Sequence, residues 1–436
     1  MGRRTASSGE GAEDLEMTRT KLAEGVYLTY LPARKFKTSL LSAQFVMPLR
    51  QETASAYALL PSLLRRGTVT YPDMGKLSAR LDRLYGASID PTVRKKGEQQ
   101  CVGFVASLID DSFAPGRERL LEPVAELLGE LICDPVTLHG RFLPTYFESE
   151  KTNLLDAIRS QLNDKREWAD RRLLSEMCAS EPYGIPRLGD EAGADRLYMR
   201  KVYTQYRQLL STGQLEMIYS GSAERRRVEQ ALLAAFSALP RETVRPAEGG
   251  SLHPRRQEVL QVTDAMDMTQ GKLGMGFSCE SEDTAALLLG NTLFGGSSNS
   301  KLFLNVREKL SLCYYASTLY HRQKGIITLS SGIEFENYQR AYDEILSQLA
   351  AVQRGEWEDW ELEGARSTLL NAYASMGDSQ GKLENFCLGQ AAMGQSETPE
   401  ELAEQVRSVT PQRIVEAMRT VRLDTVYFLK GKEAAE

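Results

Sequence analysis

Histidine is the side chain that most often carries hydrolytic and metal chemistry, and this chain of 436 residues has three: His139, His253 and His321. No two of them stand within one helical turn, so the i, i+4 pair on which HExxH and HxxEH zinc sites depend cannot form. Cysteine offers no substitute. Cys101, Cys133, Cys178, Cys279, Cys313 and Cys387 are far apart, sit mostly in apolar runs such as ICDP and NFCLG, and include no CxxC pair. Reduced core thiols are the expectation. No Ser-His-Asp or Cys-His set has persuasive spacing. The run Gly295-Gly296-Ser297-Ser298 invites comparison with a phosphate loop, but it lacks both the GK[ST] ending and the strand-first GxGxxG setting. A tight turn is the better reading.

The elements that must position any such chemistry are easier to find. Residues 56–68, AYALLPSLLRRGT, have the apolar rhythm of a helix entering a Gly-Thr turn, with no histidine and no acid. The net charge of −6 and the short basic runs argue against nucleic acid, because phosphate binding needs a concentrated basic surface. No window approaches the 18 or so uninterrupted apolar residues of a membrane helix, and nothing near the start resembles a signal core, so a cytoplasmic protein is expected.

The first 17 residues are polar, Gly/Ser-rich and aperiodic, which predicts a disordered tail with Met17 a candidate natural start. A Pro/Gly/charge cluster at 239–254 predicts a linker between domains at 18–238 and 255–436. The two pieces repeat. A shift of 229 brings Leu59, Leu60, Leu64, Gly67, Leu81, Tyr85, Ala87 and Ser88 onto Leu288, Leu289, Leu293, Gly296, Leu310, Tyr314, Ala316 and Ser317. A shift of 215 superposes Glu148, Leu154, Leu155 and Ala157 on Glu363, Leu369, Leu370 and Ala372. Each half mixes strands (VYLTYL, LLSAQFVM, QQCVGFVASLI and QLEMIYSGS; then KLGMGFSC, GIITLSSGI and VYFLKG) with long amphipathic helices. The predicted fold is α+β, two homologous domains, each a mainly antiparallel sheet with helices packed on one face.

The stretch NTLFGGSSNSKLFLNVREKLSLCYYAS, residues 291–317, resembles the second-domain motif of the M16 (pitrilysin, insulinase and mitochondrial-processing) peptidases: a helix, a Gly-Gly-x-Ser turn, then R-E-K-x-x-x-x-Y. TQGKLGMGF and LDRLYGASID extend the resemblance to most of the chain. It implies a zinc site of HxxEH on a first-domain helix plus a distal glutamate. Anchored on Gly67-Thr68, those positions fall on Ala58, Pro61 and Ser62, with the distal ligand at Ala157, so all four groups are lost. The same resemblance assigns Arg307 and Tyr314 to substrate and oxyanion contacts, two helical turns apart if the helix runs through. It makes Gly295–Ser298 a glycine-rich loop beside substrate and Ser88, Ile89 and Asp90 the edge strand on which peptide adds. The expected function is that of a non-catalytic subunit, without metal of its own, pairing with an HxxEH-bearing M16 chain that holds the zinc. Its substrate would be a peptide or unfolded polypeptide. The resemblance reaches bacterial members associated with 5-aminopentanol modification of elongation factor P. The alternative is a peptide- or protein-binding clamshell with no hydrolytic role.

Overall fold

The computed structural model describes residues 17–244 and 246–432. The tail expected at the start lies outside the described residues except for Met17, whose sulfur is 3.4 Å from that of Cys387. In the first half, β1 (Thr18–Ala23), β2 (Val26–Pro32), β3 (Thr38–Pro48), β4 (Ser88–Lys96) and β5 (Gln99–Ile109) are followed by a minimal hairpin, β6 (Thr137–Leu138) and β7 (Arg141–Phe142), and then β8 (Gln214–Gly221). Six of these form one sheet in the order β1-β2-β8-β3-β5-β4. The second half gives β9 (Leu260–Met266), β10 (Gly271–Ser278), β11 (Cys313–His321), β12 (Ile326–Ile333) and β13 (Arg422–Gly431), ordered β9-β13-β10-β12-β11.

Apart from β1, the two sheets share one plan. The single parallel pairing is β2 with β8 in the first and β9 with β13 in the second; every other neighbour is antiparallel. The internal repeat therefore has a structural counterpart in strand order as well as in sequence.

The helices of the first half are α1 (Ala54–Leu64), α2 (Met74–Arg83), α3 (Leu121–Cys133), α4 (Pro144–Ser160), α5 (Lys165–Met177), α6 (Glu191–Asp195), α7 (Met199–Thr212) and α8 (Arg225–Ala235). The second half contributes α9 (Thr284–Asn291), α10 (Tyr338–Arg354), α11 (Asp359–Ala374) and α12 (Gln380–Ala392), among others. Most bury an apolar stripe against their own sheet, which gives each half its own core.

Two helices cross over. Leu173 of α5 packs with Tyr427 and Leu429 of the second sheet. Leu383, Cys387 and Leu388 of α12 pack with Leu31, Val46, Cys101 and Ile218 of the first. The glycines of KLGMGF make the first crossing close: a Cβ at Gly276 would stand 2.5 Å from Met177 Sδ, and one at Gly274 would stand 3.3 Å from Leu173. Under α12, the buried Glu384 carboxylate accepts from Ser42 Oγ at 2.7 Å and from Arg94 Nη1 at 2.6 Å. Gln380 Nε2 donates to the carbonyls of Thr38 and Ser220 at 3.0 and 2.8 Å.

Candidate functional site

The site is built on α1. This helix is apolar nearly all round, and of its eleven residues only Ser62 escapes burial, as befits a helix covered on several sides. Ala58 is 4% exposed, and Pro61 faces Phe45, Phe104 and Tyr206 in the core. α4 packs beside α1, with Ala157 and its neighbour Asp156 exposed. The frame itself is firmly held. Arg66 Nε and Nη2 donate to Glu150 and to Ser149 of α4 at 2.5 and 2.7 Å. Thr68 Oγ1 donates to Glu130 of α3 at 3.0 Å and accepts from the Tyr71 amide at 2.9 Å. Gly67 is required there, since a Cβ would lie 2.7 Å from the Tyr71 carbonyl oxygen. Helix, turn and distal helix are all present, yet the three ligand positions, Ala58, Ser62 and Ala157, offer one hydroxyl between them, and the base position is Pro61. That donor set does not fit zinc, which takes imidazole, thiolate or carboxylate.

Arg307 lies in Leu302–Lys309, a π-helical segment, and the Gly295-Gly296 turn ends another, Thr292–Gly296. Wide turns of this kind occur often at functional sites. A helix does not run on to Tyr314, as a shared helical face would need. It stops at Lys309, Ser311 adopts φ +50°, and Tyr314 belongs to β11. The turn still brings both side chains to the wall of one open pocket of about 400 Å³, together with Glu308 and Glu334. Tyr314 is 52% exposed and donates to Glu334, which raises its pKa. The Arg307 guanidinium lies 4.7 Å from the Phe303 ring centre, with its nearest acid, Glu308, at 3.6 Å. Gly295 is buried where a Cβ would meet Leu302 and Thr318 at 2.7 Å, whereas Gly296 and Ser298 are exposed and Ser297 Oγ donates to the Thr292 carbonyl at 3.4 Å.

Ser88, Ile89 and Asp90 open β4, the terminal strand of the first sheet. Its outer edge is partly occupied already. Arg65 Nε donates to the Ile89 carbonyl at 2.8 Å and Arg187 Nη1 to the Val93 carbonyl at 3.2 Å. In an antiparallel ladder alternate residues point the same way, so Pro91, between them, turns its missing N–H outward too.

The comparisons with known proteins agree with this geometry. A model described as the peptidase M16 inactive domain matches residues 199–369. A relative from Bacillus subtilis (strain 168), described as the probable inactive metalloprotease YmfF, is 32% identical over 416 residues, 94% of this chain and 97% of that one. The chain belongs to the M16 peptidase family. A second B. subtilis (strain 168) relative, described as the uncharacterized zinc protease YmxG, is 21% identical over 310 residues, 68% of this chain and 72% of its own. The crystal structure of a conserved protein from Enterococcus faecalis V583 superposes with a TM-score of 0.88 at 28% identity, covering 96% of this chain and all of that one. A peptidase M16 inactive domain from Pseudomonas fluorescens shares the fold, with a TM-score of 0.78 at 17% identity over 97% of this chain and 100% of its own. Among the described residues no helix is long and apolar enough to cross a membrane.

This M16 chain also contains a polar cluster that its sequence did not announce. His253, in the Pro/Gly-rich linker, is buried: Nδ1 meets Glu181 at 2.5 Å and Nε2 meets Asp424 of β13 at 3.3 Å. Burial pulls its pKa down, but the bonds to Asp424, Cys178 and Glu181 outweigh that and lift it to about 10. The fully buried Lys324 ammonium joins Glu98 at 2.5 Å and also Glu181. Cys178, Glu181 and His253 are, among the described residues, the one group whose ligand atoms converge enough for a metal. Here they are engaged with one another and with Lys324 and Asp424, so the cluster reads as an ion network that ties the linker to both halves. Nearby, Tyr183 Oη lies 2.8 Å from His321 Nδ1, and burial, then Lys95, lowers His321 to about 4. The one available signal was a histidine between Leu252 and Pro254 in a segment that otherwise looked solvated. All six cysteines are free, five of them buried.

Proposed function

We propose that this chain is the non-catalytic subunit of a heterodimeric M16 zinc peptidase. Its partner is an HxxEH-bearing M16 subunit that holds the zinc. To the joint chamber this chain brings peptide-binding surface and the Arg307/Tyr314 pair in trans, acting in the cytoplasm and linked to elongation factor P modification. The chain's own division is into an M16-like domain at 18–238 and another at 255–436.

The observation that carries this reading is the unequal fate of two parts of one apparatus. The zinc positions have become core and bare surface, while Arg307 and Tyr314 stand together over an open pocket. A fixed cation suits the carbonyls of a bound peptide, and a phenol suits a developing oxyanion. A clamshell without hydrolytic role has one point in its favour, that the Tyr314 hydroxyl already donates its hydrogen bond to Glu334.

Peptide hydrolysis by this chain, by the HxxEH partner and by their mixture separates the two. The mixture is expected to cut faster than the partner alone. Arg307→Ala or Tyr314→Phe is expected to reduce that gain by about a hundredfold or more, the scale of a lost oxyanion donor. Variants that leave the mixture's rate unchanged would exclude the in-trans role.

A further inference from the structure

Between α4, α5 and the segment 179–191 lies a cavity of about 430 Å³, separate from the Arg307 pocket and within the size range of small-ligand sites. Ile158, Leu162, Ile185 and Pro186 give it apolar walls. Three acids reach it, and each is engaged: Glu181 by His253 and Lys324, Asp190 by Gln51 Nε2 at 2.7 Å and the Gly193 amide, Glu191 by Arg159 at 2.7 Å. Among its cations, Arg159 is bound to Glu191, and Arg172 bridges Glu176 at 2.8 Å and Asp264 at 3.3 Å.

Arg171 is different. It lines the cavity, half-buried, with its guanidinium 5.0 Å from the Trp168 ring centre, and among the described residues it has no hydrogen bond or ion pair. Glu167, one turn away and exposed, acts on it only at longer range, and Arg187 opposes that effect. Trp168 Nε1, on the same wall, is buried with no protein partner. An arginine whose face is covered by an aromatic ring keeps its planar N–H edge for an acceptor, and a carboxylate is the group that matches that edge best. One unfilled donor edge beside apolar walls therefore calls for a carboxylate attached to an apolar body.

We propose that this cavity binds the C-terminal residue of a peptide, its carboxylate on Arg171 and its side chain against Trp168 and the aliphatic walls. Ile158 directly follows Ala157, so the cavity adjoins the frame that lost its zinc ligands. The choice of a peptide as the carboxylate's source rests on the peptide-binding reading above; the carboxylate site itself does not.

The test uses the full chain alone, so the outcome is independent of any partner or of hydrolysis. Calorimetry with N-acetyl-Gly-Gly-Leu is expected to show saturable binding, at least about tenfold tighter than its C-terminal carboxamide. Arg171→Gln is expected to weaken the acid peptide by a similar factor without changing the melting temperature. In a Trp357→Phe/Trp360→Phe background, where Trp168 is the only indole left, the emission should shift with the peptide. Equal binding of acid and amide, an unaffected Arg171→Gln, or no saturation at millimolar peptide would each overturn the site. Hexanoate binding as tightly as the peptide would overturn the peptide as its source.

Discussion

Raising the pH should loosen the seam at His253, and the size of the effect follows from its surroundings. The imidazolium is held between Glu181 and Asp424, so its pKa stands near 10 against 6.5 when free. A folded-state pKa above the unfolded one means stability that is complete below pH 6.5 and lost as the pH rises through about 10. At about 1.4 kcal/mol per pKa step this gives a ceiling of about 5 kcal/mol. The two carboxylates share the same interaction, so roughly half, about 2–3 kcal/mol, belongs to the histidine. Other groups titrate in the same window with the opposite sign. Burial lowers Lys95 from 10.5 to about 8, so the cost of its buried charge is relieved as the pH rises. The measurement is therefore a difference: melting temperatures of wild type and His253→Gln across this range. Wild type should be the more stable at pH 6.5, and the gap should narrow towards pH 10 by about 3–5 °C, taking about 1–2 °C per kcal/mol for a chain of this length. A gap that stays constant, or widens with pH, would refute a charged His253.

The remaining predictions concern the crossing helix and the vacated frame. Glu384→Ala strands the Arg94 charge and the Ser42 hydroxyl under α12, and should cost about 3–5 kcal/mol, read as a lower denaturation midpoint and faster proteolysis within 379–393. Pro61→Ala should raise stability by about 1–3 kcal/mol, because an alanine restores the amide that a helix-interior proline lacks; a lower midpoint would show that the ring's core packing outweighs the missing bond.

How much was legible in the sequence depended on range. Strands such as LLSAQFVM and helices such as α10 and α11 carry their period locally, and the repeat preserved it twice, so fold class and element order could be read. β9 and β11 were harder, since LQVTDAM alternates weakly and the strand after Lys309 was absorbed into an extrapolated helix. The alternation in LSLCYY was the available signal, and Ser311 at φ +50° is its physical cause. The empty zinc frame was legible because a missing side chain is a local fact. The crossing of α5 and α12, the ion network at His253 and the unpartnered Arg171 were not, because each depends on residues brought together from distant parts of the chain. Only the glycines of GMG hinted at a helix pressed against the second sheet.

The crossing changes what the linker does. Each copy of the repeat wears a helix grown on the other, like two hands with interlocked thumbs. Cut the chain at 239–252, and the halves remain clasped through α5 and α12. Produce either half alone, and a sheet face is stripped to solvent: Leu31, Val46, Cys101 and Ile218 in one case, Tyr427 and Leu429 in the other. The exchanged helices should thus hold the halves together after folding even where the covalent join is cut.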